Sequence, residues 1–192
     1  IVYTLRGERA EVPVGMYDLV FVTLGSMTEG SSFGSMTAAP LMTSKREGGA
    51  WSLWETIAQN RSEFGQPQTF DDHIAKSSWE SFTITLYDPT FFQLMEAFTG
   101  NVAGTGGLVT FKDSNWLMSL VLPAQPHFID QPDNVQVCWG YGLFPDKEGN
   151  FIAKKMSECN GEEILREILG QLRFENNQHT ILSCLLYTSP SP

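Results

Sequence analysis

Phe82, Ile84 and Leu86 alternate with Ser81, Thr83 and Thr85, the period of two that a strand shows when one face is buried and the other is not. Directly behind it, Asp88 offers a carboxylate to the free amides of a helix begun by Pro89. Phe91, Phe92, Leu94, Met95 and Phe98 then give that helix a wide apolar face until Gly100 stops it. A half-buried strand feeding an amphipathic helix needs a second layer to cover both, which points to an α/β (mixed α+β) fold.

The same patterns recur on either side. Trp51, Leu53, Trp54, Ile57 and Ala58 predict a helix that ends near Asn60. Tyr17 to Thr23 is an apolar run of strand length, and Gly25-Ser26 marks a sharp turn at its carboxyl end. Between these, Glu29 to Gly49 is rich in Gly, Ser, Thr and Met without periodicity and reads as a long loop over a site. Gly107 to Phe111 and Trp116 to Leu122 predict two strands joined by a turn at Lys112-Asp113-Ser114, and Val135 to Trp139 a third. Pro145 to Asn150 reads as a surface turn. Asn160 with Glu163 forms a capping-box signature ahead of Ile164, Leu165, Ile168, Leu169 and Leu172.

Charge and length narrow the function classes. The 192 residues carry 12 Lys plus Arg against 22 Asp plus Glu, a net charge of −10, and the few basic residues make no stripe able to neutralise a phosphate backbone. No nucleic acid partner is expected. The apolar runs fall far short of the ~20 residues that span a bilayer, which leaves peripheral membrane contact open. Cys138, Cys159 and Cys184 fit no disulfide or metal spacing and suggest a reducing, cytoplasmic setting. Cys138, between Val137 and Trp139, reads as a small buried hydrophobe. The chain looks cut at both ends, and residues 185–192 read as a non-native tail.

Several residues carry two readings each. Gly25, Ser26, Met27 and Thr28 behind a strand form either a plain turn or a place where backbone approaches a ligand closely while hydroxyls donate to it. His127, between Pro126 and Phe128, is either a hydrogen-bonded core residue or a ligand-binding one. Asp113 and Asn115 beside Trp116 either cap a turn or orient a ligand. Met27, Met36, Met42, Phe91, Phe92, Met95, Phe98, Trp116 and Met118 suit an acyl tunnel or a plain core, with core favoured for Phe91, Leu94 and Met95. His73 beside Asp71 and Asp72 lacks a third ligand at metal spacing and reads as a solvated charged turn; His179 reads as incidental. Neither a catalytic nor a metal-binding residue is assigned.

Three stretches together are more distinctive than any alone: Asp18 to Glu29 (DLVFVTLGSMTE), Thr105 to Leu117 (TGGLVTFKDSNWL) with Gln125-Pro126-His127-Phe128, and Trp139 to Pro145 (WGYGLFP). Over roughly residues 10 to 175 the chain resembles the oleate hydratases, FAD-binding fatty acid hydratases once called myosin-cross-reactive antigens. The resemblance implies that residues 1–30 end a Rossmann-like FAD-binding domain, with Gly25, Ser26, Met27 and Thr28 touching FAD, and that residues 31–180 form the substrate-binding region. It implies that Gln125 and His127 lie near the carboxylate of an unsaturated fatty acid. Where other members have Thr and Asn ahead of this histidine, the chain has Val121 and Pro123, so carboxylate recognition rests more on His127 and Gln125. These residues contain no Gly-x-Gly-x-x-Gly fingerprint, and the family's acidic and tyrosyl catalytic residues belong to motifs upstream. The implied activity is addition of water to the cis-9 double bond of oleic and related acids by a homodimeric flavoprotein. The alternatives are a flavin-dependent oxidoreductase acting on lipids or amines, and a non-catalytic fatty-acid-binding protein.

Overall fold

The computed structural model describes residues 1–191 apart from Met27, Ser44 and Arg46. Its centre is a five-stranded antiparallel sheet in the order β4-β5-β6-β3-β7. The strands are β3 (Glu80–Leu86), β4 (Val109–Thr110), β5 (Met118–Val121), β6 (Gln136–Gly142) and β7 (Leu185–Ser191). β3 lies between β6 and β7, running from Glu80 opposite Gly142 to Leu86 opposite Gln136. A small hairpin of β1 (Val2–Leu5) and β2 (Glu8–Glu11) forms a second sheet. The helices are α1 (Ala50–Ala58), the single turn α2 (Gln68–Asp71), α3 (Thr90–Thr99), α4 (Gly161–Leu172) and α5 (Gln178–Ser183).

The alternating strand faces the way its pattern requires. Phe82, Ile84 and Leu86 are buried against Phe91, Phe92 and Met95 of α3 and Ile164, Leu165, Ile168 and Leu169 of α4. Each such side chain contributes about 1.5–3 kcal/mol when fully removed from water. Asp88 accepts from the Thr90 N–H at 2.8 Å; hydrogen bonds from Thr90 hold its carboxyl below the usual range. Gly100 closes α3 in the left-handed conformation. At the start of α4 the Asn160 side chain accepts from the Glu163 N–H while the Glu163 carboxylate accepts from the Asn160 N–H, completing the capping box. Cys138 is buried in the core.

Four expectations need correction. Tyr17 to Thr23 is not a strand: it carries no ladder among the described residues, and Tyr17, Leu19 and Phe21 are almost fully exposed. Apolar character alone makes no strand without a partner for its N–H and C=O groups. The strand expected from Trp116 begins at Met118, because Leu117 takes φ +47° and swings Trp116 into the core. The partner strand keeps only Val109–Thr110. The third strand runs on through Gly140 to Gly142, where the lack of a Cβ lets the Phe82 ring and the Ser119 carbonyl close over Gly140.

Candidate functional site

The loop after Thr23 is shaped by the start of α1. The Gly25 N–H donates to Ala50 O at 3.3 Å, the Trp51 indole N–H donates to Ser26 O at 3.0 Å, and the Trp51 backbone N–H donates to Glu29 Oε2 at 3.0 Å. Glu29 thus places a carboxylate on the free amides at the amino end of α1, where the helix dipole favours negative charge. Gly25 takes φ +69° beneath the Trp51 ring. Ser26 and Thr28 join their hydroxyls at 3.0 Å. Met27 lies outside the described residues.

This loop forms one wall of a cleft of about 350 Å³. Its lining includes Ser26, Gly30 and Ser31 together with Trp51, Phe70 and Trp79, as well as Met42, Lys45, His73 and Lys76. Lys45 donates to Glu55 at 2.7 Å and to Asp71 at 3.3 Å. The hydrogen bond to Glu55, aided by Asp71, holds its ammonium above the usual lysine range. The charged turn is therefore not simply solvated: α2 tucks the Asp71 side chain beneath Lys45, burying it, and His73 joins the cleft wall. Trp51 stacks on Trp54, which stacks on Phe70, so these two cleft residues are bridged by a third ring.

Gln125 and His127 lie elsewhere, in the connection between β5 and β6. Gln125 Nε2 donates to Pro123 O at 3.0 Å and Val137 O at 2.9 Å, and its Oε1 accepts from Val137 N at 3.1 Å and Gln131 Nε2 at 2.8 Å. Both amide hydrogens and both lone pairs are used within the chain. His127 is exposed, its ring edge-on to Phe128 at 4.7 Å between centroids, with Ile129 exposed beside them. The structure does not bring Ser26 and His127 together. Gln125 grips β6 at Val137, whereas the cleft residue Trp79 packs edge-on against Tyr141 further along that strand. Four residues of strand, roughly 13 Å, separate those points. Between them Trp139 is partly exposed on the same face.

The polar residues of the second motif serve the fold. Asn150 Oδ1 accepts from the Asn115 N–H at 2.8 Å, Asn150 Nδ2 donates to Asp113 O at 3.2 Å, and the Trp116 indole donates to Lys147 O at 2.7 Å. Asn115 and Trp116 thus bind the Lys112–Ser114 turn to residues 147–150, so the surface turn over Pro145 to Asn150 is also anchored to the fold. Met118 and Trp116 belong to the core, while Met42, among the described residues of the proposed tunnel, lines the cleft. The cleft residues Lys45, Phe70, Lys76 and Trp79 give no signal in the sequence, because side chains scattered over that much chain carry no local pattern. In the sequence Trp51 shows only as part of a helix face.

The cleft fits part of a cofactor. Flat aromatic walls, the Ser26 hydroxyl and the Lys76 ammonium suit a planar ring with polar substituents. Among the described residues lining the cleft no Gly-rich phosphate cradle accompanies them. Among the described residues no three His, Cys, Asp or Glu side chains gather as metal ligands, and no helix is long and apolar enough to cross a membrane.

Comparison with known proteins agrees with the motifs. The chain is 41% identical over 176 residues to an oleate hydratase of Streptococcus pyogenes serotype M49 (strain NZ131), covering 88% of this chain and 30% of that protein. It is 30% identical over 174 residues to a linoleate hydratase of Lactiplantibacillus plantarum, covering 86% of this chain and 30% of that protein. The chain therefore spans about 30% of the length of the curated relatives it matches. The MCRA family model matches residues 1–191, from the first hairpin through β7, and the chain belongs to the MCRA family.

Proposed function

We propose that the full-length protein containing this chain adds water to the cis-9 double bond of oleic and related unsaturated fatty acids, giving 10-hydroxy fatty acids, and holds FAD non-covalently. The observation that carries this reading is the similarity to two fatty acid hydratases along nearly the whole chain. The site supports it. An exposed imidazole flanked by Phe128 and Ile129 suits an anion with an apolar tail. The Trp139–Tyr141 face leads from there toward the aromatic cleft.

Hydration is redox-neutral. An acid gives a proton to one alkene carbon while a water oxygen bonds to the other and passes its own proton to a base. This chain's part is to bind and place the substrate. His127 donates to the carboxylate, and Gln125 fixes the backbone that carries it. The aromatic wall of Trp51, Phe70 and Trp79 excludes water, and Gly25, Ser26 and Thr28 form the wall toward the cofactor. FAD, when bound, shapes and polarises the site without net electron transfer. The acid and base belong to the rest of the protein.

The exposed side chains of Tyr17, Leu19 and Phe21 support a further assignment within this reading. Tyr17 to Thr23 joins a sheet supplied by the rest of the protein, as the end of a Rossmann-like FAD domain within residues 1–30; residues 31–180 form the substrate region. A cytoplasmic homodimer that meets membranes only peripherally completes the reading.

Mass spectrometry of the full-length protein incubated with oleate tests the reaction. A product heavier by one water is expected, with flavin released on denaturation. Desaturated or oxidised products would overturn it in favour of an oxidoreductase, and tight binding without turnover in favour of a carrier.

A further inference from the structure

We infer that Gln131 is a positioning residue for substrate carboxylate recognition, acting through His127; the inference rests on the reading of His127 given above. Gln131 Oε1 accepts from the His127 N–H at 2.9 Å and the Phe128 N–H at 3.2 Å. Its Nε2 donates to Gln125 Oε1 at 2.8 Å and to Val135 O at 2.7 Å. One side chain thus spans the loop from within. It fixes the two residues at the tip on one side, and on the other holds Val135, just ahead of β6, and Gln125, which itself clamps Val137 through both its N–H and C=O.

The consequence is directional. The backbone of residues 127 and 128 is tied inward by its amides, so the imidazole and the Phe128 ring project together from the surface, edge to face. A loop tip without this tie would sample many orientations, and binding an anion through one imidazole would first require ordering it. The backbone turn does not hold the tip alone. Gln131 N donates to Phe128 O at 3.3 Å, a long bond, and Asp130 sits at φ +61°. A side chain that satisfies two tip amides at once supplies the remaining order.

The test is a double-mutant cycle in the full-length enzyme, with oleate and its methyl ester as substrates. Gln131→Ala should raise KM for the acid about three- to tenfold with kcat nearly unchanged, the effect of a lost binding contact. The ester KM should hardly move. In the His127→Ala background Gln131→Ala should add nothing, because the residue through which it acts is gone. Gln131→Met, which keeps the volume and removes all four hydrogen bonds, repeats the measurement if the alanine variant does not fold.

The outcomes separate. If His127→Ala raises KM for the acid and neither Gln131 variant does, the role of Gln131 is overturned and that of His127 stands. If His127→Ala leaves the acid-to-ester preference as in wild type, the carboxylate reading falls and the positioning role with it. If the Gln131 variants lower melting temperature and flavin retention and impair acid and ester alike, Gln131 is a structural residue only.

Discussion

Gly25 lies so close beneath Trp51 that a Cβ on it would come within 2.7 Å of the indole Cζ3. The same glycine sits at φ +69°, where a side chain is strained whatever the space around it. The turn at the end of DLVFVTLGS is therefore held by α1, through the ring above Gly25 and the indole bond to Ser26 O. Gly25→Ala in the full-length protein should cost at least about 1 kcal/mol. Thermal melting should show the loss, and on the proposed cofactor role of Ser26 in the same loop flavin retention should fall with it. An unchanged melting temperature would mean that the loop moves freely away from Trp51.

Glu167 holds a second junction. Its Oε2 accepts from the Phe151 and Ile152 N–H groups, both at 2.8 Å, and its Oε1 from the Asn150 N–H at 2.9 Å and Gln171 Nε2 at 3.0 Å. The carboxylate is buried, and these four donors satisfy it. Glu167→Gln turns an amide toward donors and leaves at least one buried N–H unpaired, a loss of about 1–3 kcal/mol. Hydrogen exchange at residues 150–152 should quicken in the variant. Wild-type protection there would show that the loop is held by something else.

Glu80 is the opposite case, a buried acid whose two oxygens find no partner among the described residues. Burial pushes its carboxyl up to about 8 from the ordinary 4.5. The folded protein thus holds this proton more tightly than the unfolded chain does. Its contribution to stability is fully present below pH 4.5 and is lost as pH rises through about 8. Across that window the slope reaches about 1.4 kcal/mol per pH unit. Glu80→Gln should flatten this part of the stability profile and be more stable than wild type at pH 9. Parallel denaturation profiles for the two proteins would show that Glu80 stays ionised in the fold.

Burial likewise pushes the thiols of Cys138 and Cys159 up to about 12. At pH 8 both should resist alkylation in the native protein and react once it is unfolded, because the thiolate is the nucleophile. Peptide mapping after iodoacetamide treatment checks each site separately. Rapid native labelling of Cys138 would contradict its place in the core.

Sequence patterns alone located what depends on near neighbours along the chain. The alternation of Phe82, Ile84 and Leu86, the Asp88 and Gly100 ends of α3, and the Asn160–Glu163 capping box are each complete within a few residues, and each formed as read. The family, too, was legible, because its motifs are contiguous. Tertiary structure decided the rest. Trp116 turns inward because Lys147 offers its indole an acceptor, and Asn115 is structural because Asn150 meets it from 35 positions away. The cleft assembles Ser26, Trp51, Phe70 and Trp79 from separate elements, and Gln125 spends its whole amide on Val137, Pro123 and Gln131. Tyr17 to Thr23, apolar enough to be a strand, stays outside both sheets because a ladder needs a second strand. Local patterns set where elements start and stop, while satisfying buried polar groups and filling the core, which fix side-chain roles, depend on partners that only the folded chain brings together.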